Sequence, residues 1–273
     1  MNPVRPARLA LLAVPALLFL TGAPSAQAQP IAATYTVQAV GMTVMEVNAT
    51  LDITEAGYTV EFRTRTRGVV AAFSGGTLVT RVEGVWEGDR ARPRRYVSEG
   101  VWRGENRRTV IEWPGNQPAI RAMVPPNDEE RETVPEDARR NTVDNLSAIA
   151  QLVRQARRTG NCDGSLRAFD GRRLSETTAR SRGREQFAPA RDEWSGTALR
   201  CDFEGRFLAG FRKDEDREAA RRPQTGTAWL GEAAPGRPLI PVRIDSVNRW
   251  FGTISARLAS FGPPGEAQAR AGN

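Results

Sequence analysis

Apolar and polar residues alternate through the first half of the chain. Met45, Val47, Ala49, Leu51 and Ile53 interleave with Glu46, Asn48, Thr50 and Asp52. After Glu55-Ala56-Gly57 the alternation resumes as Tyr58, Val60 and Phe62 against Thr59, Glu61, Arg63 and Arg65. Successive side chains of a strand point to opposite faces, so each run predicts a strand with one dry and one wet side. The short Gly-containing break predicts that the two strands pair as an antiparallel hairpin. Weaker runs predict strands over 31–40, 77–87, 94–103 and 106–113, with breaks at Gly75-Gly76, Gly88-Asp89 and Gly104. The expected result is a meander of neighbouring antiparallel strands.

A polar stretch from Pro125 to Arg140 interrupts this pattern. Its Asp128-Glu129-Glu130 cluster reads as a solvated loop rather than a cation site. From about Val143 to Arg158 the period changes. Leu146, Ile149, Ala150, Val153 and Ala156 form an apolar stripe at helical spacing, Asp144 is placed as the N-cap, and Arg154, Arg157 and Arg158 suit the negative end of the helix dipole. This helix is expected to plug or flank the sheet. Strand patterns return at Leu166–Phe169 and Arg172–Thr178 around Asp170-Gly171, a strong hairpin signal, and then at 195–203, 206–212, 226–230, 238–247 and 249–258. The fold class expected is mainly β: an antiparallel rolled sheet, or partly closed barrel, with one main α-helix.

The ends of the chain follow other rules. Arg5 and Arg8 precede the apolar run Leu9–Leu20, and Ala26-Gln27-Ala28 has the small-x-small form that a signal peptidase cuts after. The run is shorter than the roughly 20 residues a spanning helix needs and Pro15 interrupts it, so a cleaved signal peptide over 1–28 is expected rather than an anchor. No cysteine stands at the cleavage point, which argues against a lipid-modified N-terminus. The mature chain would then be one β-rich periplasmic domain over 29–262, with no transmembrane segment and a small, polar, disordered tail over 263–273.

Composition narrows the chemistry. The net charge is +7, and Lys213 is the sole lysine beside 38 arginines. A uniform preference for arginine needs no local function, and the functional reading is affinity for anionic lipid headgroups or acidic glycans. An exported protein makes nucleic acid a poor partner. The chain has no histidine, which removes a Ser-His-Asp triad, a Cys-His pair and any imidazole metal site. Ser147 and Lys213 could be combined only as a Ser-Lys dyad, but Lys213 sits in the charged run Arg212–Asp216, which keeps its amine protonated. No catalytic residue, metal ligand or cofactor is therefore assigned. Cys162 and Cys201 are the only cysteines and read as one structural disulfide in an oxidising compartment. Two free thiols are the competing reading, although neither lies in a C-x-x-C motif.

Candidate ligand-binding positions are Val60, Phe62 and Trp86 on the inward sheet face, and Arg172 and Arg173 at the hairpin turn. The arginines could meet a phosphate or carboxylate, or simply be solvated beside a tight turn. The tryptophans Trp86, Trp102, Trp113, Trp194, Trp229 and Trp250 could line a groove or fill the core of a rolled sheet.

Several short pieces occur together in order. Asp144-Asn145-Leu146-Ser147 opens the helix, and Cys162 precedes Phe169-Asp170-Gly171-Arg172-Arg173. Cys201 precedes Ala209-Gly210-Phe211, and Ile240-Pro241-Val242-Arg243 and Gly252 follow. In this order the chain resembles, over roughly 31–260, the exported proteobacterial domain-of-unknown-function family DUF3108. The resemblance implies a periplasmic, spiral or roll-shaped β domain with one helix. Its shape would be similar to that of periplasmic carriers that hold lipid or lipoprotein acyl chains in a concave sheet. It brings no catalytic residues. The chain departs from the family pattern after Arg173, where Leu174 and Ser175 stand in place of the usual aromatic.

Two functions are carried forward. The first is a non-enzymatic periplasmic protein whose concave β face binds an envelope lipid, a glycan or a protein partner and supports envelope integrity. It predicts an apolar concavity among Val47, Leu51, Val60, Phe62, Val82 and Trp86. The second is a carboxylate-based hydrolase of envelope polysaccharide, which needs two carboxyl groups facing each other across a cleft at roughly 5–9.5 Å.

Overall fold

Among the described residues the alternating pattern becomes thirteen strands in one antiparallel sheet. The structure, a computed structural model, describes residues 30–190, 193–248 and 252–264. The expected signal peptide, Trp250 and the expected tail from residue 265 onward lie outside the described residues. The first half contains β1 (Ile31–Ala39), β2 (Met42–Ile53), β3 (Gly57–Thr66), helix α1 (Gly68–Ser74), β4 (Gly76–Glu87), β5 (Arg90–Trp102), β6 (Glu105–Glu112) and β7 (Ala119–Val124). The short α2 (Asn127–Glu130), a 3-10 turn (Asp137–Arg139) and the main helix α3 (Asn145–Thr159) follow. The second half contains β8 (Gly164–Phe169), β9 (Leu174–Phe187), β10 (Gly196–Ala209), the short α4 (Arg217–Arg221), β11 (Gln224–Glu232), β12 (Leu239–Asn248) and β13 (Gly252–Gly262).

Each strand pairs with its sequence neighbour, and β1 closes the long connection by pairing with β13. The sheet therefore runs β7 to β1, then β13 to β8, and its two edges, β7 and β8, both come from the middle of the chain. No β-ladder joins these edges among the described residues. The segment 125–143 fills the gap as a seam. Glu132 N donates to Phe211 O (2.9 Å), Lys213 N to Glu130 O (3.1 Å), and Phe169 N to Val143 O (2.8 Å). Gly171, at φ +92°, lets the β8–β9 turn press against β6 and β7. A Cβ there would lie 2.8 Å from Thr109 and 2.9 Å from Met123.

α3 forms as its sequence demands. Asp144 Oδ1 accepts from Leu146 N and Ser147 N, each at 2.9 Å, and Gly160 ends the helix at φ +69°. Its stripe buries Leu146, Ala150, Val153 and Ala156 against β3, β4 and β5 on one side and β8 and β12 on the other. Its C-terminal half reaches the β2–β3 and β4–β5 turns, where Arg154 pairs with Glu55 (3.1 Å) and Asp89 (3.5 Å). The helix thus plugs one end of the rolled sheet.

The cysteine pair lies within bonding distance, with S–S at 2.09 Å, between Cys162, three residues beyond α3, and Cys201 in the middle of β10. Among the described residues no helix is long and apolar enough to cross a membrane.

Candidate functional site

The registers of the first half stack inward-facing residues in rows. At the level of α3, Leu51, Val60, Val82, Tyr96 and Ile111 lie side by side from β2 to β6. All five are buried, Val60, Val82 and Ile111 completely. One step toward the open end the row reads Ala49, Phe62, Thr80, Ser98 and Thr109, with the Thr80 and Ser98 hydroxyls 2.9 Å apart. The next reads Val47, Thr64, Leu78, Gly100 and Arg107. The wall is therefore apolar in the first row, carries the Thr80, Ser98 and Thr109 hydroxyls in the second, and gains its first cation, Arg107, in the third.

Above the apolar floor a cavity of about 840 Å³ opens. Leu78, Tyr96, Ser98, Thr109 and Trp102 line it from the sheet, and Asn145 from the start of α3. The seam and the turns facing it contribute Glu130, Arg131, Asp170, Arg172 and Arg212. At its margin Arg103 Nε donates to Ser74 Oγ at the end of α1 (2.8 Å), whose Val69 and Phe73 are 59% and 90% exposed.

Arginines dominate the electrostatics of this wall. Arg107 donates to Glu105 (3.0 Å) and Glu130 (3.1 Å), and Arg172 Nη1 lies 3.8 Å from Glu130. The Arg107 hydrogen bond holds the Glu130 carboxyl below the usual carboxylate range. Arg172 Nη2 is tied to Val124 O (3.2 Å) and Pro125 O (3.0 Å), and Arg131 Nη1 to Gly210 O (3.2 Å). Burial pushes the pKa of both Arg131 and Arg172 down. The Arg173 and Arg212 charges add to this at Arg131, and the Arg107 charge at Arg172. Among the described residues five buried guanidinium nitrogens have no hydrogen-bond partner, and three of them, Arg107 Nε, Arg131 Nε and Arg172 Nη1, are on this wall.

A second concavity, about 700 Å³, lies on the opposite face of β9–β13 around Asp202, Thr227 and Asp245. Its two aspartates are each bonded to neighbouring side chains. Asp202 accepts from Arg182, Arg200 and Thr227, each at 3.0 Å, and Asp245 from Arg243 and Ser255. Among the described residues no cluster of three or more cysteines and carboxylates is placed to hold a metal ion.

The five candidate ligand positions do not converge. Val60 lies in the sealed floor and Phe62 one row above it. Trp86 is at the plugged end, its Nε1 donating to Thr54 O (2.9 Å) with the Arg154 guanidinium 4.6 Å from its ring centroid. Arg172 lines the cavity, whereas Arg173 stacks over Phe207 at 4.6 Å. Asp170 Oδ1 accepts from Arg172 N (2.8 Å) and Arg173 N (2.7 Å), so the turn itself is fixed by local chemistry. Of the tryptophans, Trp102 reaches the cavity, Trp113 packs on the seam through Thr142 O (3.0 Å), and Trp194 and Trp229 cluster with Phe187 on the other face. Sequence reading did not single out Arg107 or Arg131. Nothing local distinguishes them among 38 arginines.

Beside the cavity, the α3 N-terminus carries a buried polar chain. Tyr58 Oη donates to Ser147 Oγ (2.7 Å), which donates to Asp144 Oδ2 (2.5 Å). Asp144 is fully buried, and desolvation raises its pKa despite these bonds. Between the ordinary value near 4 and that raised value, the folded state holds more protons than the unfolded chain. This group's contribution is therefore complete below the unfolded value and is lost as pH rises through the folded one. Stability should fall across that window by up to about 1.4 kcal/mol per pH unit. Asp144→Asn keeps a capping oxygen and should flatten this slope in urea unfolding midpoints measured from pH 4 to 8. An unchanged slope would show that Asp144 does not titrate differently on folding.

Residues 32–259 match the family described as "Protein of unknown function (DUF3108)". No curated protein matches the chain. Among solved structures, a beta-barrel-like protein of domain of unknown function DUF1849 from Brucella abortus is similar at 13% identity and a TM-score of 0.55. The match covers 88% of this chain and 99% of that one. At this identity the likeness concerns the fold.

Proposed function

The chain belongs to the DUF3108 family of proteins of unknown function, and from that premise we propose that it is a non-enzymatic periplasmic binding protein of the bacterial envelope. Its ligand is an amphipathic envelope lipid held in the cup above α3. One observation carries this reading: the cavity wall grades from a dry apolar floor through hydroxyls to guanidinium groups. An acyl chain and a polar head need that order of surroundings. The exposed Val69 and Phe73 of α1, beside the cavity margin, add apolar surface where a chain would enter. The leader-like residues 1–28 and the cysteine pair support export to an oxidising compartment. The polysaccharide hydrolase alternative gains no support here. Glu130, the carboxylate nearest the arginines, is held ionised rather than poised as an acid, and Asp144 is sealed in the core.

Native mass spectrometry of protein purified from its own periplasm, with organic extraction, tests the proposal. A co-purifying lipid is expected, lost in Leu78→Glu while the unfolding midpoint holds. Wild-type protein that carries nothing and takes up no lipid from vesicles would overturn it.

A further inference from the structure

We infer that Arg107, Arg131 and Arg172 form a binding site for a phosphate group within the cup. This rests on the lipid-binding reading only for the source of the phosphate, since the site itself stands on the geometry of the three side chains. Arg131 is 9% exposed and Arg172 and Arg107 are largely covered, with 16% and 23% of their side chains accessible. Buried guanidinium N–H groups ordinarily find acceptors, because leaving one unpaired forfeits its hydration. Here one nitrogen on each of the three arginines has none, and all three residues line the same cavity.

Glu130 shows how close they lie. Its carboxylate sits 3.1 Å from Arg107 Nη2 and 3.8 Å from Arg172 Nη1, and Arg131 is the next residue in the chain. Glu105 also bonds Arg107, yet the cavity lining carries seven cationic side chains against five carboxylates, one of which, Asp170, spends its Oδ1 on the backbone of its own turn, and this leaves local positive charge. Planar guanidinium groups gathered on one cavity wall match the non-bridging oxygens of a phosphate, which arginine engages with short, charge-assisted bonds. The groove on the opposite face is the internal comparison. Arg182 lines it bonded to Asp202, and Arg200 and Arg243 beside it are bonded to Asp202 and Asp245.

The phosphate could be a lipid headgroup or belong to a soluble phosphate, and titration separates these. Inorganic phosphate is titrated calorimetrically into the full mature protein, and uptake of phosphatidylglycerol is measured from phosphatidylglycerol–diacylglycerol vesicles. Inorganic phosphate should bind one to one, more weakly as ionic strength rises. Arg172→Gln and Arg107→Gln should each weaken it about tenfold or more. Arg131→Lys keeps the charge but not the fork, and should weaken binding without unfolding the seam. Arg182→Gln in the opposite groove should change nothing. Phosphatidylglycerol uptake that falls in the same variants assigns the site to a lipid headgroup. Phosphate binding without lipid uptake would uphold the site and overturn the lipid reading. Lipid uptake insensitive to all three arginines, with no phosphate binding, would overturn the site and leave the lipid reading standing.

Discussion

Val60→Asp is expected to leave no folded protein to assay. Val60 is completely enclosed between Leu51 and Val82 in the row against α3. Its neighbours offer an ionised carboxylate neither a donor nor a counter-charge, so burial costs several kcal/mol or forces a neutral acid that is still unpaired. A domain with about 5–15 kcal/mol of total stability does not survive that together with the lost valine packing. Far-UV circular dichroism on heating should show no cooperative transition. Leu78→Glu, two rows nearer the opening and only partly buried beside the cavity, should fold with a midpoint close to wild type. The pair locates the floor of the cup. If Val60→Asp folds and loses lipid, the dry floor lies deeper than the Leu51–Ile111 row and ligand reaches Val60 itself.

That distinction shows where sequence legibility ends. The β2–β3 hairpin was legible because one side faces the core and the other water, and the two-residue period records this directly. The 3.6-residue stripe and the Asp144 cap of α3 were legible for the same reason. Elements without a dry face left no such record. β9 runs on through Ala179–Phe187, beyond the expected end at Thr178, because that stretch is polar on both faces and gains its order from pairing with β10. β10 is one strand where two were expected, since Glu204-Gly205 reads as a turn but pairs in register with β9 and β11. β7 was not anticipated, and α1 could not be, because none of its residues is buried and it has no stripe. The candidate site was legible only at Arg172. Arg107 and Arg131 acquire their surroundings from the seam over 125–143, which brings the two sheet edges together. The polar pattern of that segment is what a solvated loop shows, and closure is a tertiary event that local periodicity does not encode.

The Cys162–Cys201 pair should be worth about 4 kcal/mol, from the loop-closure entropy of a 39-residue separation. Both cysteines are 1% exposed, one just past the end of α3 and the other in the inward row with Ala228, Ile244 and Ala256. The bond therefore pins the end of the plug to the second half of the sheet, while the cationic wall lies on the first half and the seam. Cys162→Ser/Cys201→Ser should lower the unfolding free energy by that amount, a large share of the total. Wild type refolded in reductant should match the double variant. Equal stability of oxidised, reduced and serine forms would mean that the pair acts as two thiols. The functional consequence follows from geometry. Arg107, Arg131 and Arg172 keep their own anchors to Glu105, Gly210 and Val124 without the bond. Phosphate affinity should therefore survive reduction, measured well below the lowered melting point. Acyl-chain retention should weaken, because it needs α3 seated as the floor. A protein that loses both together on reduction would show that plug and wall form one cooperative unit, with the bond closing the cup rather than fixing its base.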